Sequence, residues 1–200
     1  MTRARLLLTF LITILGQPIF AAETAAPLKL VSQKLDITGG ELIRPENWSY
    51  SWDMHSQSVV WKLSENEYDS KQNLDKPSVI MQLFPETKRI IGKPPEKLAL
   101  EFLEQVKASG NVMNFCRFST QNGMVKTCLE TLEKSSKALD KVTHNAYAVS
   151  WDSKRGWLLL TTFSAPIERW EELSPIFLTM SNVKIFREDI NKKDPKQTFN

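Results

Sequence analysis

Two cysteines, Cys116 and Cys128, and two histidines, His55 and His144, are the scarce reactive side chains of this 200-residue sequence. The cysteines have eleven residues between them and no histidine beside them. That spacing is neither a C-x-x-C redox pair nor a zinc knuckle. A structural bridge, two free thiols or a functional redox pair remain as readings. His55 follows Asp53 closely and His144 precedes Asn145, yet neither has a second histidine at metal-ligand spacing. H-E-x-x-H, G-x-S-x-G and phosphate-cradling glycine loops are all missing. A small hydrolase or metal-dependent enzyme would have to recruit His144 or His55 together with distant groups, such as a serine or cysteine. The pattern assigns no catalytic residue, no cofactor-binding residue and no metal ligand.

Carboxylates cluster at Glu65, Glu67 and Asp69, and again at Glu168, Glu171 and Glu172. The first group lacks the glycine and spacing of a calcium loop and reads as a solvated loop. The second sits near a helix start, where acids are favourable against the helix dipole. Asn47-Trp48-Ser49 matches a glycosylation acceptor, a frequent pattern that matters only in a eukaryotic secretory route.

What the cysteines do depends on compartment. Arg3 and Arg5 precede the apolar run Leu6 to Leu15, and Ala21-Ala22 follow. Basic flank, short apolar core and small residues are the layout of a signal peptide, expected over residues 1–22. The run is shorter than the roughly 20 residues that span a bilayer, and no later segment is apolar enough for stable membrane insertion. Removing 1–22 takes away two arginines and no acid, leaving 24 basic against 23 acidic side chains. A near-neutral mature chain offers no electrostatic case for nucleic acid. Ten phenylalanines and six tryptophans point to a packed core. The expected location is periplasmic or secreted, an oxidising setting in which cysteines pair.

The elements that must position these residues follow from periodicity. A strand is expected from Leu28 to Ile37, stopped by Gly39-Gly40. Trp48, Tyr50 and Trp52 alternate with polar residues as on a half-buried strand, and Val59, Val60, Trp61 and Leu63 return after a turn near Ser56-Gln57. Residues 66–78 read as a loop, VIMQLFP as a strand, and Thr87 to Lys93 as irregular. Leu98, Ala99, Phe102, Leu103 and Val106 recur at helical spacing between Pro94-Pro95 and Gly110. A hairpin over 112–119 and 124–131 carries the cysteines. A second runs from AYAVSWD through Ser153–Gly156 into WLLLTTF, whose continuous apolar run marks a central strand. APIERWEELSPIFLTM is a second helix that Pro175 should kink or divide. VKIF closes the fold, and 188–200 is a polar tail.

Hairpin counting makes the cysteine reading specific. A three-residue loop, Gln121-Asn122-Gly123, with Gly123 left-handed, sets Thr120 opposite Met124 and Cys116 opposite Cys128. A two-residue Asn-Gly loop sets Cys116 opposite Leu129. Opposed residues lie close enough for a disulfide. The expectation is a Cys116–Cys128 bridge with Gly123 as the bulge residue.

The order of elements, with RPENWSYSW, PPEKLALEFLEQVKASG and NAYAVSWDSKRGWLLLTTFSAPIERWEELSPIFLTMSNVKIF, resembles the PsbP-like superfamily, named for the extrinsic P-protein of photosystem II and including many bacterial envelope proteins. Asn47 stands where a glycine is often seen. The resemblance implies an α+β fold, a mainly antiparallel β-sheet packed between helices, as a single domain over 23–187. It implies no reaction and no cofactor, because such proteins mostly act as binding or assembly factors. The function expected is an exported, non-catalytic accessory protein with an unidentified protein partner in the cell envelope. A secreted, host-directed factor is a further alternative.

Overall fold

The computed structural model describes residues 28–65, 76–121, 123–134 and 141–186. The expected signal peptide and polar tail lie outside the described residues, as do Glu67 and Asp69.

Eight strands form the main sheet. They are β3 (Ser49–His55), β4 (Ser58–Ser64), β5 (Ser78–Phe84), β6 (Asn111–Phe115), β7 (Ser119–Gln121), β8 (Met124–Lys134), β9 (Val142–Asp152) and β10 (Trp157–Pro166). Their order is β3-β4-β5-β10-β9-β8-β6, with β7 also on β8, and every pairing is antiparallel. A smaller sheet of order β1-β2-β11 joins β1 (Leu30–Lys34), β2 (Gly39–Pro45) and β11 (Lys184–Phe186). The helices are one turn, α1 (Thr87–Ile90), then α2 (Pro95–Ser109) and α3 (Trp170–Met180).

β10 lies in the middle of the main sheet, as its apolar run predicts. Trp157, Leu159 and Phe163 point to one face and Leu158 to the other. α2 covers one face of the β10-β9-β8 half, laying Ala99, Leu103 and Val106 on Leu129, Val149 and Trp151. α3 and the small sheet cover the other face over β4, β5 and β10, where Leu173, Phe177 and Met180 meet Trp61, Leu63, Val79 and Met81. The result is an antiparallel sheet between two layers, the α+β sandwich that the resemblance implies. The cover is diagonal: each layer protects a different half of the sheet.

The first segment differs from expectation. β1 ends at Lys34, the chain turns through Leu35–Thr38, and Gly39-Gly40 begin a second strand instead of ending the first. Packing decides this. A Cβ on Gly40 would collide with the backbone of Lys184 and Ile185, so glycine is what lets β11 lie beside β2. Asp36 ties this turn to the main sheet. Its carboxylate accepts from the Tyr50 hydroxyl at 3.0 Å, and its carbonyl from Trp61 Nε1 at 3.2 Å.

Two helical expectations also change. Thr87–Ile90 forms a helical turn where irregular chain was expected. Pro166 ends β10, a single 3₁₀ turn covers Ile167–Arg169, and α3 continues through Pro175 without division. Pro175 and Glu171 are both exposed, so the carbonyl that loses its helical donor faces water.

Candidate functional site

Alternation along β8 and β9 sends Lys126, Cys128 and Glu130 to the same face as Ser150, Ala148 and Ala146, their direct cross-strand partners. This is the α3 side of the sheet, and α3 does not reach fully across it. On β4 and β5 the same face carries Trp61, Leu63 and Met81. Small side chains on β9 instead leave a cleft of about 500 Å³ between the strands and α3. Phe163, Trp170, Phe177 and Leu178 line its apolar side.

The cysteines form part of its floor. Cys116 and Cys128 are disulfide-bonded, with Cα atoms 4.8 Å apart. The Cys116 amide donates to the Cys128 carbonyl at 2.9 Å, and the Thr127 hydroxyl donates to the Cys116 carbonyl at 2.8 Å. The turn, however, is not the one expected. Gln121 pairs with Met124, leaving two positions between them, and Thr120 pairs with Val125. Regular pairing from that turn would set Cys116 opposite Leu129. Instead Phe115 pairs with Leu129, so one additional residue is absorbed between Phe115 and Ser119. Asn-Gly favours the two-residue turn, and an edge strand can take up a bulge because no outer neighbour fixes its register. Gly123 is left-handed, with φ +80°. The predicted cysteine pairing is present, but it arises from a bulge on the edge rather than from loop length.

His144 reaches the same face, two residues along β9 from Ala146. Its Nε2 lies 3.0 Å from Glu130 Oε2, and its ring stacks on Trp170 at 3.6 Å and 9°. Glu130 also accepts a longer bond of 3.4 Å from Asn114. The histidine thus joins β8, β9 and the start of α3. Both thiols are consumed in the disulfide, so a cysteine partner for His144 is removed. His55 is exposed at the β3–β4 turn, on the opposite face of the sheet. The two histidines are not brought together. Among the described residues no group of three His, Cys, Asp or Glu side chains is placed to hold a metal.

The acids resolve into ion pairs. Glu65 accepts from Arg169 Nη1 at 2.6 Å and Glu172 from Nη2 at 3.3 Å. Glu65, foremost among these partners, holds the Arg169 guanidinium above its ordinary value. Glu168 and Glu171 are exposed at the start of α3.

Sequence reading placed Trp170 on the second helix by its spacing but did not single out Arg117, Lys126 or Glu130. Lys126-x-Cys128-x-Glu130 against Ala146-x-Ala148-x-Ser150 was available as a signal. Two period-two rows, one polar and one small, mark a sheet face that no large side chain fills.

These features define a mainly antiparallel α+β sandwich with a cleft between its sheet and its last helix. No protein-family model and no characterised protein matches the sequence. In fold, the chain is similar to the cyanobacterial PsbP of Synechocystis, with 18% identity, 85% of this chain and 100% of that one covered, and a TM-score of 0.49. It is also similar to LpqN of Mycobacterium tuberculosis, a protein involved in cell envelope biogenesis, at 12% identity with 82% and 88% covered and a TM-score of 0.48. The Ran-binding protein Mog1p of Saccharomyces cerevisiae is similar at 9% identity, 82% and 98% covered, and a TM-score of 0.49.

Proposed function

We propose that this chain is an exported, non-catalytic accessory protein of the cell envelope, a single domain over 23–187 behind a cleavable leader, that binds a protein partner. The observation that carries the reading is the edge of the main sheet formed by β6. β6 closes the strand order, and with the turn after it exposes Val112 (45%), Met113 (60%), Phe115 (39%) and Phe118 (53%). Phe115 and Phe118 meet edge to face, with ring centroids 6.0 Å apart. Four large apolar side chains on this strand edge and the turn that follows it are costly to leave in water, and such patches mark interaction sites. The leader-like N-terminus and the disulfide support an oxidising location. No helix among the described residues is long and apolar enough to cross a membrane.

Chemical cross-linking in intact cells, followed by affinity capture and mass spectrometry, tests the proposal. Wild type should capture a defined envelope protein, and Phe115→Asp/Phe118→Asp should lose it while keeping its circular dichroism spectrum. A protein that remains solitary after cross-linking would sink the reading.

A further inference from the structure

The cleft under α3 lies on the opposite face from Phe115 and Phe118, which pair with or pack on Leu129 and Trp151 over the α2 side. Its volume of about 500 Å³ falls within the range of about 300–1,000 Å³ found for small-molecule sites. The two ends of the cleft differ in charge. Lys126 and Arg117 line the end nearer the β7–β8 turn, and among the described residues neither has a carboxylate partner. Lys62, Lys93, Lys107 and Arg169, by contrast, are each in an ion pair. Glu130, engaged by His144, stands four residues from Lys126 along β8, about 13 Å away at the rise of a strand.

We propose that this cleft is a binding site for a small amphipathic anion: an apolar body with one carboxylate or phosphate head. The head is held by Arg117 and Lys126, whose donors suit carboxylate and phosphate oxygens. The body lies on the floor of Ala146 and Ala148 against Phe177 and Leu178. Leu178 is 70% exposed at the cleft, an apolar side chain in water that such a body would cover. Glu130 sets the direction, because it repels a second anionic group and leaves the cationic end as the only place for the head. A cationic amphiphile finds unpaired cations where its head would sit. This site is independent of the protein partner proposed above, since it uses the other face of the sheet.

Isothermal titration of the disulfide-intact mature protein tests it, with decanoate and decyl phosphate below their micelle-forming concentrations and decanol and decyltrimethylammonium as comparisons. Saturable one-to-one binding of either anion is expected, with decanol and the cation weaker by roughly tenfold or more, as charge-assisted hydrogen bonds require. Arg117→Gln/Lys126→Gln should lower anion affinity by a similar factor and leave decanol unchanged. Ala148→Leu should fill the floor and abolish anion binding, with near-ultraviolet circular dichroism reporting an intact fold. Because the double charge variant lies at the surface, its result decides the matter if Ala148→Leu unfolds. The proposal is overturned if the anions bind no better than decanol, if the charge variant binds them like wild type, or if only phosphatidylglycerol vesicles bind and monomeric anions do not.

Discussion

At the residue scale, the disulfide is the feature with the most definite energetic consequence. Cys116 and Cys128 are twelve positions apart, and closing a loop of that length contributes about 3 kcal/mol on the chain-entropy model. Cys116→Ser/Cys128→Ser should therefore lower the unfolding free energy by up to about 3 kcal/mol in urea titrations. It should also loosen Arg117, so anion affinity in the cleft should fall with it. Tyrosines give the pH dependence. Burial, with the Asp36 carboxylate beside it, pushes the Tyr50 phenol up to about 12 from an ordinary value of 10.0. Burial and then Glu133, which accepts its hydroxyl hydrogen bond at 2.8 Å, raise Tyr147 as well. A raised folded value means that the unfolded chain loses these protons first. The stability they contribute is complete below pH 10.0 and falls as pH rises through about 12. Urea midpoints between pH 9 and about 11.5 should drop, and Tyr50→Phe/Tyr147→Phe should flatten the drop. No drop in the wild type would contradict the assignment.

At the element scale, the small sheet depends on one glycine. Gly40→Ala places a methyl group against the Lys184 and Ile185 backbone, and overpacking of this kind costs about 1–3 kcal/mol. The expected outcome is early hydrogen exchange in β11 together with a lowered melting temperature; unchanged protection in β11 would refute it. This element shows why local patterns fail. Gly39-Gly40 reads as a stop because glycine weakens strands, and only the approach of a strand more than 140 positions later turns it into a requirement. α2, by contrast, was legible in full. Its proline start, its apolar spacing and its terminal glycine are all local.

At the scale of the whole molecule, β10 connects the two cores, since Leu158 packs under α2 and Leu159 under α3. Leu158→Ala and Leu159→Ala should each cost about 2–5 kcal/mol. Fluorescence and far-ultraviolet circular dichroism should still report one coincident transition, because neither layer is buried without β10. Two separated transitions would show that the layers unfold independently. The diagonal cover also explains why the cleft escaped sequence reading. Strand alternation says which residues share a face, but not which half of that face a helix will protect.

The sequence by itself determined the main strands and α2, and its resemblance to the PsbP-like superfamily implied the class of fold. The strands and α2 follow from residue periods and cap chemistry, which act over a few positions. Only the tertiary structure decided the bulge that brings Cys116 to Cys128, the stacking of His144 on Trp170, and the cleft that joins Arg117, Lys126 and Glu130. Each of these depends on contacts between elements distant in sequence, where packing rather than local preference sets the position of every side chain.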